Sequence, residues 1–170
     1  MRLNHTLIFL LIILAAFTRL IPHMPNFTAV GALGVFAGVY VERKYLAYVM
    51  VLFAMIVSDI FLGFHAISFV VYGAIVFSTF LAGEYGRKNT RLRLAILTLS
   101  SSVAFFVITN FGVWLLTDMY PKSITGLSAC YIAAIPFFKN QLLGDMFYMS
   151  VLAGSVYLIK NIVFFKELEM

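Results

Sequence analysis

The stretch Tyr45-Leu-Ala-Tyr-Val-Met-Val-Leu-Phe-Ala-Met-Ile-Val-Ser-Asp-Ile-Phe-Leu62 decides the class of this protein. It is strongly apolar until Ser58 and Asp59. Its length approaches the about 20 apolar residues that carry a helix across a bilayer. The whole chain has the same character, with 63% hydrophobic and 11% charged residues among 170. Soluble domains average about 45–50% apolar and about 25% charged, so a water-soluble domain is excluded. Disorder is excluded as well, because low hydrophobicity is its signature. A single cysteine rules out a disulfide framework and a zinc site built from several thiolates.

Working outward, Leu3–Ile21 is an apolar run stopped by Pro22 and Pro25. Arg2 ahead of an apolar core is a signal-peptide feature. However, Ala15–Arg19 makes a poor small-x-small cleavage site, and the run is read as a mature helix. Thr28–Val41 is short and rich in Gly and Ala, and reads either as a span or as a re-entrant segment. On the other side, Gly63-Phe64-His65 connects tightly to Ala66–Ala82. The polar, basic stretch Glu84–Arg93 follows, then the long run Leu94–Leu116. Asp118–Asn140 is aromatic, contains Pro121 and Pro136, and is the longest non-helical candidate before Gln141–Phe165. No run alternates with period two as a membrane barrel requires. The expected fold is all-α: one polytopic membrane domain over 1–170, with helices at about 3–21, 28–41, 45–62, 66–82, 94–116 and 141–165.

Six spans place both termini and the loops 42–44 and 83–93 on one side. That side holds Arg2, Arg43, Lys44, Arg87, Lys88, Arg91, Arg93, Lys160 and Lys166, against Arg19, Lys122 and Lys139 on the other. The positive-inside rule then puts both termini in the cytoplasm, and the net charge of +5 reports orientation rather than nucleic-acid binding.

The opposite, outer end collects polar groups from four connections. Arg19, His23 and Asn26 lie between the first two helices, and Asp59 and His65 flank the turn after the third. Asn110 and Trp114 lie in the outer half of the fifth helix, and Asp145 follows Asn140 and Gln141 in the sixth. Ionisable groups within a membrane usually face a cavity or one another, so Arg19, His23, Asn26, Asp59, His65, Asn110, Trp114 and Asp145 are the candidate substrate-binding set. Arg19, Asp59, Asn110 and Asp145 fall at similar depth and are expected to converge. Each has a plainer reading beside it. Arg19 snorkels or pairs with Asp59, and Asn110 bonds a neighbouring helix. Trp114 and Tyr120 fit an interfacial aromatic belt. His23, His65 and Asp59 follow no recognised metal-ligand spacing, and no metal site is assigned. Cys130 reads as a packing residue. Gly31, Gly34 and Gly38 form a small-residue face on the second helix, suited to close packing within the bundle or against a partner.

Arg19-Leu-Ile-Pro-His-Met-Pro-Asn-Phe-Thr28 with Gly31–Gly38, Ser58–His65, Thr109–Trp114, Met119-Tyr-Pro121, Gly126-Leu127 and Ile135–Phe138 together resemble a bacterial family of uncharacterised six-helix proteins. Its members are commonly described as substrate-binding components of energy-coupling-factor transporters. The resemblance implies a protein of the bacterial inner membrane that captures a vitamin or metal ion from outside. It also implies a separate transmembrane coupling protein and two ATPases as partners. One departure is that the Ala-x-x-x-Ala docking motif usual in the first helix is absent, the nearest spacing being Ala15 to Arg19.

The chain carries no Gly-x-Ser-x-Gly, no His-Glu-x-x-His and no glycine-rich phosphate loop with Lys, so an enzyme is not expected. No cofactor is assigned, and apart from lipid and membrane subunits no partner is implied. The expected function is substrate capture for a transporter powered by separate subunits. The alternative is a structural or assembly subunit of a larger membrane complex with no small-molecule substrate.

Overall fold

The shortest helix is the centre of the molecule. The computed structural model describes residues 5–86 and 90–168, with side chains described for 6–86 and 90–161. Its helices are α1 (His5–Phe17), α2 (Val30–Tyr40), α3 (Lys44–Leu62), α4 (Ser68–Tyr85), α5 (Arg91–Leu116) and α6 (Ile124–Leu168), with a 3-10 turn, Thr18–Leu20, after α1. All the described regular structure is helical. α2 packs against each of the other five helices, and every residue from Val30 to Gly38 is buried. A helix apolar on all sides is either a lipid-facing span or a core helix, and the five neighbours make α2 the second.

Four helices are long and apolar enough to cross a membrane: α3, α4, α5 and Ile124–Asn161 of α6. α1 and α2 are shorter. With 11 residues, α2 rises about 16 Å, roughly half a hydrocarbon core. The segment expected at 28–41 is therefore a half-length helix sheathed by protein, and the loop before it, residues 21–29, sits at one end of the bundle with 21–26 exposed. Burial among helices, not contact with lipid, accounts for its apolar sequence.

The sequence reading needs its largest correction at α6. The segment 118–140 was expected to be non-helical and the last helix to begin at Gln141. Instead α6 begins at Ile124 and runs through Pro136. Proline interrupts one backbone hydrogen bond, but membrane helices tolerate it because neighbours hold the helix in place. Here Tyr131 donates to Val107 O at 2.7 Å, and Phe138 packs on Phe106 with ring centres 4.5 Å apart. α5 and α6 thus form one long antiparallel hairpin. Its turn is fastened by Trp114 Nε1, which donates to Pro121 O at 2.9 Å. Helix one is also shorter than the expected 3–21, the α-helix giving way to the 3-10 turn at Thr18. Residues 3 and 4, and Arg2, Arg87 and Lys88 of the charge pattern, lie outside the described residues, as does the side chain of Lys166.

α2 and α4 approach closely through glycine. A Cβ on Gly34 would come within 3.0 Å of Ile75 O and 3.1 Å of Ser78 Cβ. One on Gly38 would run into Thr79 O and lie 2.8 Å from Ala82 Cβ. The backbone oxygen of α4 cannot yield without moving its helix, so Gly38→Leu should force the two apart. We expect a loss of about 1–3 kcal/mol, read by unfolding in detergent. Gly73→Ala, where nothing lies within 4 Å, serves as the control and should not destabilise.

Candidate functional site

Asp59 sits one turn before the end of α3, where Gly63, at φ 88°, ends the helix. It is only 2% exposed. A carboxylate at that depth requires a counter-charge, and the 3-10 turn after α1 supplies it: Arg19 Nη2 lies 2.7 Å from Asp59 Oδ1. The other guanidinium nitrogen donates to Ser58 Oγ at 2.5 Å. From α4, Tyr72 donates its hydroxyl to Asp59 Oδ2 at 2.6 Å. Asp59 Oδ1 meets Arg19 as an ion pair without aligned hydrogen-bond geometry, and no other group among the described residues donates to it.

This pair forms part of the wall of a cavity of about 330 Å³ at one end of the bundle. Asn26, Thr28, Gly31, His65, Ser68, Thr109, Asn110 and Gln141 contribute polar edges, and Phe105, Phe106 and Phe137 contribute aromatic faces. The lining comes from α1's end, the loop before α2, and α2 to α6. Asn26 holds that loop in shape. Its φ of 62° is a left-handed conformation that asparagine adopts more readily than most residues. Asn140 of α6 ties the same loop down by donating to Pro25 O at 3.1 Å.

Of the eight residues singled out from the sequence, Arg19, Asn26, Asp59, His65 and Asn110 line this one cavity. His23 does not; it is exposed, with Nδ1 2.6 Å from Ile21 O. Trp114 serves the α5–α6 turn instead. The expected convergence of four groups is corrected at Asp145, which does not join the ion pair. Its Oδ1 accepts from Ala32 N at 3.0 Å and its Oδ2 from Ser102 Oγ at 2.7 Å. α2 has no capping side chain of its own, so α6 provides one from across the bundle. Carboxylates suit that position because the first amides of a helix are unpaired and carry partial positive charge. Gly31 is the consequence: a Cβ there would overlap the Asp145 carboxylate.

Asn110 donates to Phe106 O within its own helix at 2.8 Å, which leaves its carbonyl oxygen and its second amide N–H to offer to the cavity. Sequence reading missed Tyr72 and Ser102. Ser102 carried a signal, since Thr98, Ser102 and Thr109 recur at helical spacing on one face of α5 and all are buried. Tyr72 carried none, being one tyrosine in an apolar run. Among the described residues, no three His, Cys, Asp or Glu side chains come together to hold a metal ion.

Chemically, the cavity combines a buried ion pair, amide and hydroxyl edges and aromatic walls. Ligand sites in general combine apolar and aromatic walls with a few placed polar groups of this kind. Comparisons with curated proteins and with solved structures gave no match. A family profile does match, over residues 1–167, and on that match the chain belongs to a family of unknown function, DUF6580.

Proposed function

We propose that this protein is the substrate-capture subunit of a small-molecule transporter, energised by separate chains. The observation that carries the proposal is the cavity at one end of the bundle, walled by the buried Arg19–Asp59 pair and by Phe105, Phe106 and Phe137. Its volume of about 330 Å³ falls at the small end of ligand sites, which span about 300–1,000 Å³. On the positive-inside pattern this is the outer end and the termini are cytoplasmic, and the sequence resemblance makes the membrane a bacterial inner membrane. The sequence resemblance to energy-coupling-factor substrate components supplies the partners of this reading, a transmembrane coupling protein and ATPases. The role is binding rather than catalysis, as the sequence carries no nucleophile or phosphate-loop motif.

The second reading is a structural or assembly subunit. Two observations favour it: Asp145 is occupied in capping α2, and the first helix lacks the small-residue docking spacing. Native mass spectrometry of gently purified protein separates the two. Capture predicts a co-purifying small molecule that is lost in Asn110→Leu, a change that removes a polar edge, narrows the cavity and spares the ion pair. Wild-type protein that carries no small molecule but retains stoichiometric membrane subunits without ATPases would give the assembly reading the lead.

A further inference from the structure

A second and larger cavity, about 520 Å³, opens between α5 and α6 at the other end of the bundle. Arg91, Tyr40 and Tyr157 stand at one end of it, and Leu94, Met146 and Met149 line it further in. Because α5 and α6 are antiparallel, Arg91 at the start of α5 lies level with Tyr157. The groove then descends along α6 to Met146. Those 11 helical steps rise about 16 Å, close to the roughly 15 Å of hydrocarbon in one leaflet. The polar end is thus placed at a membrane surface and the apolar end near the midplane.

We infer that this groove holds one anionic phospholipid, its phosphate at Arg91 and one acyl chain lying along α6. The charge fits: Arg91 is exposed and has no ion-pair partner among the described residues, and Arg93 and Arg43 belong to the same end of the bundle, where Lys44 is paired with Glu84. A guanidinium matches phosphate oxygens geometrically, and tyrosines favour the headgroup level. Basic recesses between membrane helices bind anionic headgroups in this way. The walls fit an acyl chain. Methionine side chains adapt to an irregular apolar guest, and at Gly154 the floor is open, with nothing within 4 Å of where a Cβ would stand.

The test is native mass spectrometry of the protein in mixed micelles holding equal amounts of phosphatidylglycerol and phosphatidylcholine with the same acyl chains. Wild-type protein should retain one phosphatidylglycerol with a preference of roughly fivefold, as one arginine near a charged surface would give. Arg91→Gln should still retain a lipid but with little preference. Gly154→Leu starts its side chain in open space, with nothing within 4 Å of its Cβ, and should lose retention of both lipids at an undiminished melting temperature. Equal retention of the two lipids by wild type would overturn the inference, and so would undiminished retention by Gly154→Leu. A stoichiometric protein in place of the lipid would also overturn it. None of these outcomes bears on the cavity at the opposite end.

Discussion

Arg19→Met should destabilise the protein by about 3–5 kcal/mol, the usual cost of removing one partner from a buried ion pair. The side chains of Arg19 and Asp59 are 13% and 3% exposed, so the orphaned carboxylate cannot recover its solvation by a small movement. Tyr72 would remain as its donor, which softens the loss without neutralising the charge. Arg19→Met combined with Asp59→Leu should recover most of the stability, because no charge is then left buried. Unfolding of the four proteins of this cycle in the same detergent measures the coupling directly. A double variant no better than Arg19→Met would mean that the pair is solvated in practice, and the cavity would then be wet and open. A double variant restored in stability yet empty of ligand would assign the pair to substrate capture rather than to folding.

Asp145→Leu should cost about as much, for a different reason. The change keeps the branched shape of the side chain, though it is bulkier, but strands the Ala32 amide and the Ser102 hydroxyl in an apolar interior. Each unsatisfied buried group costs about 1–3 kcal/mol. The damage falls on α2, which every other helix packs against, so we expect loss of cooperative unfolding as well as a lower midpoint. Asp145→Asn keeps an acceptor oxygen for Ala32 and should cost clearly less. Hydrogen exchange at the α2 amides is the check. If Asp145→Leu left those amides as protected as in wild type, Asp145 would not be the cap of α2, and a role at the cavity would have to be reconsidered.

What the sequence determined by itself was the class of the fold and one end of its chemistry. Apolar runs near bilayer length define α3 to α5 because in lipid every backbone group must be bonded within its own helix, which ties local composition to local structure. Arg19 and Asp59 were legible for the same reason: a charge in such a run must be answered. Tertiary structure alone decided which charge answers which. Arg19 reaches Asp59, whereas Asp145, equally conspicuous, is turned to the start of α2. That choice depends on where a helix begins in space, and sequence spacing does not encode it. The tertiary structure also decided that Pro136 lies inside a helix, since bonds and ring contacts from α5 hold both sides of the break. It decided, finally, that α2 is the core. Eleven apolar residues with three close-packing glycines are compatible with a short span, a re-entrant turn or a buried centre, and only the five surrounding helices select among them.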